Sequence, residues 1–149
     1  MPSASIKKEI SCSKENLINM VLDIEKYPEF VPWCLKSKIY SRNEKRDRIE
    51  IVADLTIGKN IFKKTYKSFV IYDKPSSSIH VSNIEGPLKH LENKWFFKEL
   101  GENSEVFFHV DFELKSKILN LLMIKSFDIG LKKIADAFEK RALELFKST

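Results

Sequence analysis

Histidine and cysteine, the side chains most often used for acid–base and metal chemistry, are few in this sequence and widely separated. They are His80, His90, His109, Cys12 and Cys34. A metal centre built from such residues needs ligands at short, recurring spacings, and these five show none. None of the histidines has a partner at a spacing that suggests an acid–base pair. We therefore expect no catalytic or metal-binding role for them.

Motifs for nucleophilic or phosphate chemistry are also missing from the sequence. It contains no Gly-x-Ser-x-Gly elbow, no phosphate-binding glycine loop and no paired-carboxylate signature. Cys34 has no histidine or arginine beside it, which favours a small buried residue over a reactive thiolate. Two cysteines in 149 residues fit a reducing compartment better than a disulfide scaffold. These features argue against an enzyme.

The net charge is basic, yet the kind of basic residue argues against specific reading of a nucleic acid. The formal charge is +5 and the isoelectric point is near 9.1. Only four of the 26 basic residues are arginine, the residue that best recognises phosphates and base edges. Lys63, Lys64 and Lys67 lie close together. They form either a solvated face or a surface attracted to anionic phospholipid or ribosomal RNA.

The hydrophobic periodicity predicts a helix, then a run of strands, then a long helix. Ser13 is a suitable N-cap for a helix over residues 14–24, whose apolar side chains recur at helical spacing. Alternation with a period of two then predicts short strands. With a first strand at 5–10, the predicted strands are 36–41, 49–57, 62–72, 79–84, 91–100 and 106–114. Residues 118–146 carry one apolar stripe, and Gly130 is its single weak helix former.

This order of elements predicts an α+β fold for one domain spanning residues 1–149. The half-buried strands can bury one face only by wrapping around the long C-terminal helix. A curved sheet and a straight helix do not match in shape, so a hydrophobic cavity is expected between them. Residues 27–34 (YPEFVPWC) stand apart, because two prolines forbid a long helix there and three aromatic side chains crowd the segment.

Four segments carry a resemblance to a known family. Residues 27–34 resemble a YPEFLPWC signature, and GPLKHL at 86–91 with WFF at 95–97 resembles a GPF-x-x-L…W-x-F stretch. VDFELKS at 110–116 and AFEKRA at 137–142 complete the pattern. These segments resemble the coenzyme Q-binding proteins and ribosome-association toxins, a family of the START-like polyketide cyclase/dehydrase superfamily. Val31 and Leu88 depart from the pattern, each replacing one apolar residue by another.

The resemblance implies a START-like helix-grip fold and a non-enzymatic lipid chaperone. Such a protein would bind ubiquinone or a related polyprenyl quinone between sheet and helix and support its delivery or use in respiratory electron transport. Ubiquinone would be a bound ligand, and no cofactor is implied. A second implied function is that of a toxin-like regulator that binds the large ribosomal subunit and blocks subunit association. A polyketide cyclase is a third alternative, disfavoured by the missing acid–base pair.

Candidate ligand-binding residues follow from the predicted inner face and the aromatic segment. They are Tyr27, Phe30, Trp33, Leu55, Tyr66, Ser68, Trp95, Phe97, Phe108, Val110, Phe127 and Leu131. The three aromatics of the segment would either line the mouth of the cavity or plug the end of the sheet as ordinary core. The hydroxyls of Tyr66 and Ser68 would either face a quinone carbonyl or bond to the backbone.

A carrier of such a quinone must collect it from a bilayer. The best membrane contact in the sequence is Ile118, Leu121, Leu122 and Ile124, a cluster flanked by lysines. The same cluster could instead be a dimer interface, and the oligomeric state is left open. The absence of a presequence favours a bacterial cytoplasmic protein, peripheral at most to the inner membrane.

Overall fold

The computed structural model of the chain describes residues 3–59, 62–85, 88–118, 121 and 127–146. Its strands are β1 Ser3–Ile10, β2 Cys34–Glu44, β3 Arg48–Lys59, β4 Phe62–Asp73, β5 Ser78–Glu85, β6 Leu88–Leu100 and β7 Asn103–Leu114. Helix α1 spans Lys14–Leu22, and a 3-10 helix spans Ile24–Glu29. Helix α2 spans Phe127–Leu145.

The seven strands form one antiparallel sheet in the order β1-β7-β6-β5-β4-β3-β2. Strands β2 to β7 follow one another as hairpins, because each pairs with its neighbour along the chain. Strand β1 closes the other edge by pairing with β7, from Ser3 opposite Asp111 to Ile10 opposite Ser104. The α+β architecture with a sheet and a C-terminal helix, predicted from the sequence, is confirmed.

Helix α1 begins where the sequence predicts and ends two residues early. The Ser13 hydroxyl accepts a 3.2 Å hydrogen bond from the Asn16 amide, as expected of an N-cap. The helix was predicted to reach residue 24. It ends at Leu22, and the chain continues as the 3-10 helix that contains Pro28. Pro28 fits here because it is the second residue of the turn closed by the Phe30 amide and the Tyr27 carbonyl, a position that its fixed φ favours.

The core lies between the inner face of the sheet and the helices. Strand β7 alternates buried and half-buried residues along its length, the pattern of a strand with one face covered. Ile51 and Ala53 of β3 are fully buried. Helix α2 contributes Leu131, Phe138 and Ala142 to this core, so the stripe predicted for the C-terminal helix does face the sheet.

The predicted helix over residues 118–146 is described only in part. Residues 117, 118 and 121 are helical and α2 begins at Phe127, while 119, 120 and 122–126 lie outside the described residues. Within the described part of the chain, no helix combines the length and the apolar character needed to cross a bilayer.

Candidate functional site

The aromatic segment 27–34 packs along helix α2. The Phe138 ring lies edge-on to Tyr27 at 5.5 Å and to Phe30 at 5.1 Å, measured between ring centroids. From the sheet side, Trp95 approaches the same ring at 5.2 Å. Edge-to-face contacts of this kind stabilise aromatic clusters beyond the burial of area. The cluster therefore joins the 3-10 helix, the C-terminal helix and strand β6 at one end of the sheet.

Tyr27 is anchored within this cluster by its hydroxyl. The phenol donates a hydrogen bond to the backbone carbonyl of Val21 near the end of α1. Burial raises the pKa of Tyr27 well above its ordinary value, so the hydroxyl stays protonated and remains a donor. In the described contacts Tyr27 serves as a core residue that ties α1 to the 3-10 helix, which was one of the two alternatives predicted for it.

Trp33 has a different environment from Tyr27 and Phe30. Its side chain is 39% exposed, and its backbone has φ 64°, in the left-handed region. The Trp33 carbonyl accepts a 2.9 Å hydrogen bond from the amide of Gly58, which itself has φ 141°. A non-glycine residue with positive φ is strained, and such strain persists only where the surroundings hold it. Trp33 is thus placed at the surface end of the segment rather than in the core.

The remaining apolar candidates mostly lie on the inner face, as predicted. Buried inward-facing residues are Leu55, Trp95, Phe97, Phe108, Val110 and Leu131. The Trp95 and Phe108 rings lie tilted at 35° to each other, with a centroid distance of 4.2 Å. Phe127, at the start of α2, is half-buried and contacts Phe112 of β7 at 4.8 Å. The structure therefore brings the start of α2 against β7 and its middle, at Phe138, against β6.

The candidate hydroxyls of Ser68 and Tyr66 differ in their hydrogen bonding. Ser68 is fully buried and donates a 3.3 Å hydrogen bond to the Ala53 carbonyl, the backbone alternative predicted for it. Tyr66 is half-buried on the same face, and no hydrogen bond joins its hydroxyl to another described residue. Loss of hydration, with a smaller contribution from Cys34, raises the pKa of Tyr66. A neutral phenol in this position is a hydrogen-bond donor directed into the interior.

The inner face is incompletely covered near the middle of the sheet. Val81 of β5 points inward beside the buried Val70 of β4, yet Val81 is only half-buried. Tyr66, on the neighbouring strand, is also half-buried. Val81 lies on the central strand of the sheet, so its partial exposure shows that the inner face is not completely covered there.

Cys34 and Cys12 are both buried and not joined in a disulfide. Burial raises the pKa of Cys34 to about 11. A thiol with a raised pKa is protonated and weakly nucleophilic at neutral pH, as expected from the sequence.

Charged residues connect the C-terminal helix to the rest of the fold. Lys8 of β1 lies 2.6 Å from Glu139 and 2.7 Å from Asp136, both on α2. Glu139 therefore ties strand β1 to the helix. Arg141 instead donates to Glu29 over 2.7 Å and lies 5.1 Å from the Phe30 ring.

The histidines were predicted to lack partners, and this is wrong for all three, since His90 Nε2 also lies 3.9 Å from Glu92 Oε2. His80 Nε2 lies 3.0 Å from Glu92 Oε1 across the β5–β6 pair, and His109 Nε2 lies 3.1 Å from Asp111 on the same strand. The Ser5 hydroxyl lies 2.5 Å from His109 Nδ1. The His-x-Asp spacing on a strand was the missed signal, because alternate residues share one face. Among the described residues, no three metal-ligating side chains are grouped to hold an ion.

The candidate membrane residues that are described are highly exposed. Ile118 is 74% exposed and Leu121 is 67% exposed. Leu122 and Ile124 lie outside the described residues.

A basic surface that the sequence did not single out lies on the outer face of β2–β4. The ammonium groups of Lys38 and Lys67 lie 4.9 Å and 4.8 Å from the centre of the Tyr40 ring. Tyr40 is 50% exposed and donates a 2.7 Å hydrogen bond to Asp54. Lys67 belongs to the lysine cluster noted in the sequence. Lys38 and Tyr40 were missed because only strand pairing brings them next to the lysine cluster.

Comparisons with known proteins place this architecture in one family. Residues 11–139 match the family model described as polyketide cyclase / dehydrase and lipid transport. The chain is 33% identical over 136 residues to the ribosome association toxin RatA of Rickettsia prowazekii, covering 89% of this chain and 90% of that one. It is 30% identical over 145 residues to the mitochondrial coenzyme Q-binding protein COQ10 of Dictyostelium discoideum, covering 95% of this chain and 69% of that one.

Solved structures show the same fold. An 18 kDa protein of Caulobacter crescentus is 28% identical, with a TM-score of 0.80 over 97% of this chain and 98% of that one. The Zhui aromatase/cyclase of Streptomyces has a TM-score of 0.80 at 13% identity, covering 97% of this chain and 96% of that one, which shows the fold alone. With its START-like sheet and C-terminal helix, the chain belongs to the polyketide cyclase / dehydrase and lipid transport family.

Proposed function

We propose that this protein is a non-enzymatic carrier that binds ubiquinone or a related polyprenyl quinone between the sheet and helix α2. The observation that carries the proposal is the incomplete cover of the inner face at two places, Val81 and Tyr66, which the buried Val70 and Ser68 separate. A quinone combines a flat ring with an apolar tail, and such ligands bind in apolar sites with a few directed polar groups.

The polar groups around this position suit a quinone. The neutral Tyr66 hydroxyl is a donor, and the two oxygens of a quinone ring are acceptors. Trp95 and Phe108 offer aromatic faces on the adjacent strands. The relative named as a coenzyme Q-binding protein supports this ligand class. None of the three histidine–carboxylate pairs faces this interior, because His80, His90 and His109 lie on the outer face, and this supports binding without catalysis.

Delivery would require contact with a membrane. Ile118 and Leu121 are two of the most exposed large apolar side chains described, with exposed fractions of 74% and 67%. Lys115 and Lys117 are exposed beside them and would meet anionic head groups. We therefore propose that this region touches the bilayer when the quinone enters or leaves.

A titration with decylubiquinone tests the proposal. The quinone quenches tryptophan fluorescence on contact, and Trp95 lies on the inner face. Val81→Phe would fill the inner space and is expected to weaken binding at least tenfold. His80→Phe places the same side chain on the outer face of the same strand and is the matched control. Equal quenching in the wild type and in Val81→Phe would rule out this binding position.

A second function, association with the large ribosomal subunit, is favoured by the basic surface around Tyr40. Two ammonium groups near one exposed ring, beside the single carboxylate of Asp54, give a net positive patch, and ribosomal RNA presents a dense array of phosphates. The relative named as a ribosome association toxin supports this alternative.

Co-sedimentation with large ribosomal subunits at increasing salt tests the second function. The double variant Lys38→Glu/Lys67→Glu is expected to abolish binding, because it reverses the charge of the patch. Lys98→Glu/Lys132→Glu makes the same change in net charge at two exposed positions elsewhere and is the control. If both double variants lose binding equally, only net charge matters, and the patch is not the ribosomal surface.

A further inference from the structure

The inner face of the sheet contains one side-chain amide whose oxygen accepts no hydrogen bond. The Asn93 carbonyl oxygen, Oδ1, is buried and has no hydrogen-bond partner. Two other described side-chain atoms share this condition, Glu50 Oε1 and Arg141 Nε. Glu50 nevertheless forms an ion pair with Lys45, and Arg141 bonds to Glu29 through another nitrogen. Among the described residues that hold such an atom, Asn93 alone has no other polar partner.

The position of Asn93 makes this amide unusual. It lies opposite Val110 of β7 and Val81 of β5, and its inward-facing neighbours along β6 are Leu91 and Trp95. A buried polar atom without a partner is costly and rare in a folded protein. A valine or leucine would suit the same position without that cost. The asparagine therefore needs an explanation other than stability.

A buried water molecule does not account well for the unpaired oxygen of Asn93. A buried water ordinarily makes about three hydrogen bonds to polar groups around it. Of the four neighbours that flank Asn93, only Trp95 carries a polar side-chain atom, and the nearby Asn83 oxygen already accepts a hydrogen bond from the Leu91 amide. A water beside Asn93 would thus be under-bonded, whereas a ligand with one hydroxyl on an apolar ring would need only Asn93 Oδ1 as its acceptor.

The surroundings of Asn93 are partly accessible from outside the fold. The Asn93 side chain as a whole is half-buried although its oxygen is covered, and Val81 beside it is also half-buried. An asparagine amide has two donor hydrogens and one acceptor oxygen. It can donate to the carbonyl of a quinone and accept from the hydroxyl of the reduced quinol.

We infer that Asn93 is the residue that recognises the oxygen-bearing head of the ligand, in both its oxidised and reduced forms. This inference rests on the proposed quinone-binding function and adds to it the group that distinguishes a quinone from a plain hydrocarbon. The apolar inner face would bind a quinone or a plain hydrocarbon, and the Asn93 amide makes the quinone bind more tightly.

Paired titrations with decylubiquinone and with decylbenzene, which has the same tail but no oxygen, test the inference. Asn93→Leu is expected to weaken decylubiquinone binding about 3- to 12-fold, the effect of one lost hydrogen bond, and to leave decylbenzene binding unchanged. Its ligand-free melting temperature should rise by about 3 °C, because an unmet polar group is removed. Asn93→Val is a second variant suited to a strand, and Lys98→Leu is the control on the outer face of β6.

The possible outcomes distinguish a failure of the Asn93 inference from a failure of the proposed quinone binding. If the wild type binds decylubiquinone and both Asn93 variants bind it within twofold of the wild type, the inference is wrong and the quinone function stands. If the variants lose both ligands equally and melt at a lower temperature, Asn93 has a structural role and the inference is also wrong. If the wild type binds neither ligand, the proposed function fails, and the inference fails with it.

Discussion

The indole ring of Trp33 lies against Gly130, so that a Cβ atom at position 130 would stand 3.7 Å from Trp33 Cη2. This contact joins the aromatic segment to the first turn of α2, at the end of the helix opposite Phe138. Gly130 is the one weak helix former in the apolar stripe, yet the contact leaves space for a Cβ atom there.

Gly130→Ala should stabilise the protein by about 0.5–1 kcal/mol. Alanine is the better helix former by about that amount, and the distance of 3.7 Å is an ordinary van der Waals contact that needs no movement of Trp33. The free energy of unfolding in urea measures the effect. A destabilised Gly130→Ala variant would show that the indole lies closer to the helix than described.

Trp33→Ala should weaken decylubiquinone binding and cost about 1–3 kcal/mol of stability. A fully buried tryptophan would cost about 3–5 kcal/mol, but Trp33 is 39% exposed. Trp33→Phe keeps a ring against Gly130 and is the control, expected to retain most of the binding. Unchanged binding in a folded Trp33→Ala variant would remove Trp33 from the ligand site.

Lys8→Met should destabilise the protein at neutral pH by about 0.5–1 kcal/mol, because Lys8 joins β1 to α2 through two carboxylates. Lys7→Met is the control, since the exposed Lys7 meets only Glu105, at 3.5 Å. Urea unfolding of both variants measures the difference. If the Lys7 and Lys8 variants lose equal stability, the link between strand and helix contributes nothing.

The stabilisation by Lys8 should depend on pH in a defined window. Its hydrogen bonds, first to Asp136 and then to Glu139, raise the pKa of Lys8, so its contribution is present below about pH 10.5 and is lost as the pH rises through the folded value. The bond to Lys8 lowers the pKa of Asp136, whose contribution is present above about pH 4 and is lost as the pH falls through the folded value. The wild type and Lys8→Met should therefore differ most between these limits. A difference independent of pH would contradict this assignment.

Ile118→Asp and Leu121→Asp should each reduce flotation with anionic liposomes. A charge in the most exposed apolar cluster opposes insertion among acyl chains, whereas Ile84→Asp changes a 51% exposed residue on β5 and should have no effect. Size-exclusion chromatography of each variant belongs to the experiment. A dimeric parent with monomeric variants would identify the cluster as a dimer interface instead.

Most of the fold was predictable from local patterns. The alternation along 106–114 and the apolar stripe on the C-terminal helix each indicate which face of the element is buried. The buried residues of β7 and of α2 confirm both. The end of α1 was misplaced by two residues because apolar spacing continues through Ile24. The change from α-helix to 3-10 helix depends on backbone hydrogen bonding, which apolar spacing does not show.

The site was less predictable, because its polar features arise from residues distant in sequence. Asn93 stands among charged and polar neighbours in the sequence, and only strand pairing places it between Val81 and Val110. Lys38 and Tyr40 likewise meet Lys67 only across the sheet. The pairing of Arg141 with Glu29 depends on how α2 crosses the 3-10 helix, which no local pattern encodes.

Native mass spectrometry of the protein purified from quinone-producing bacteria, with organic extraction of the same sample, tests most directly whether the protein carries a quinone. We expect one polyprenyl quinone bound per chain in the wild type, much less in Val81→Phe, and a wild-type amount in His80→Phe. A wild-type protein that carries no quinone, and gains none after incubation with quinone-loaded liposomes, would contradict this expectation.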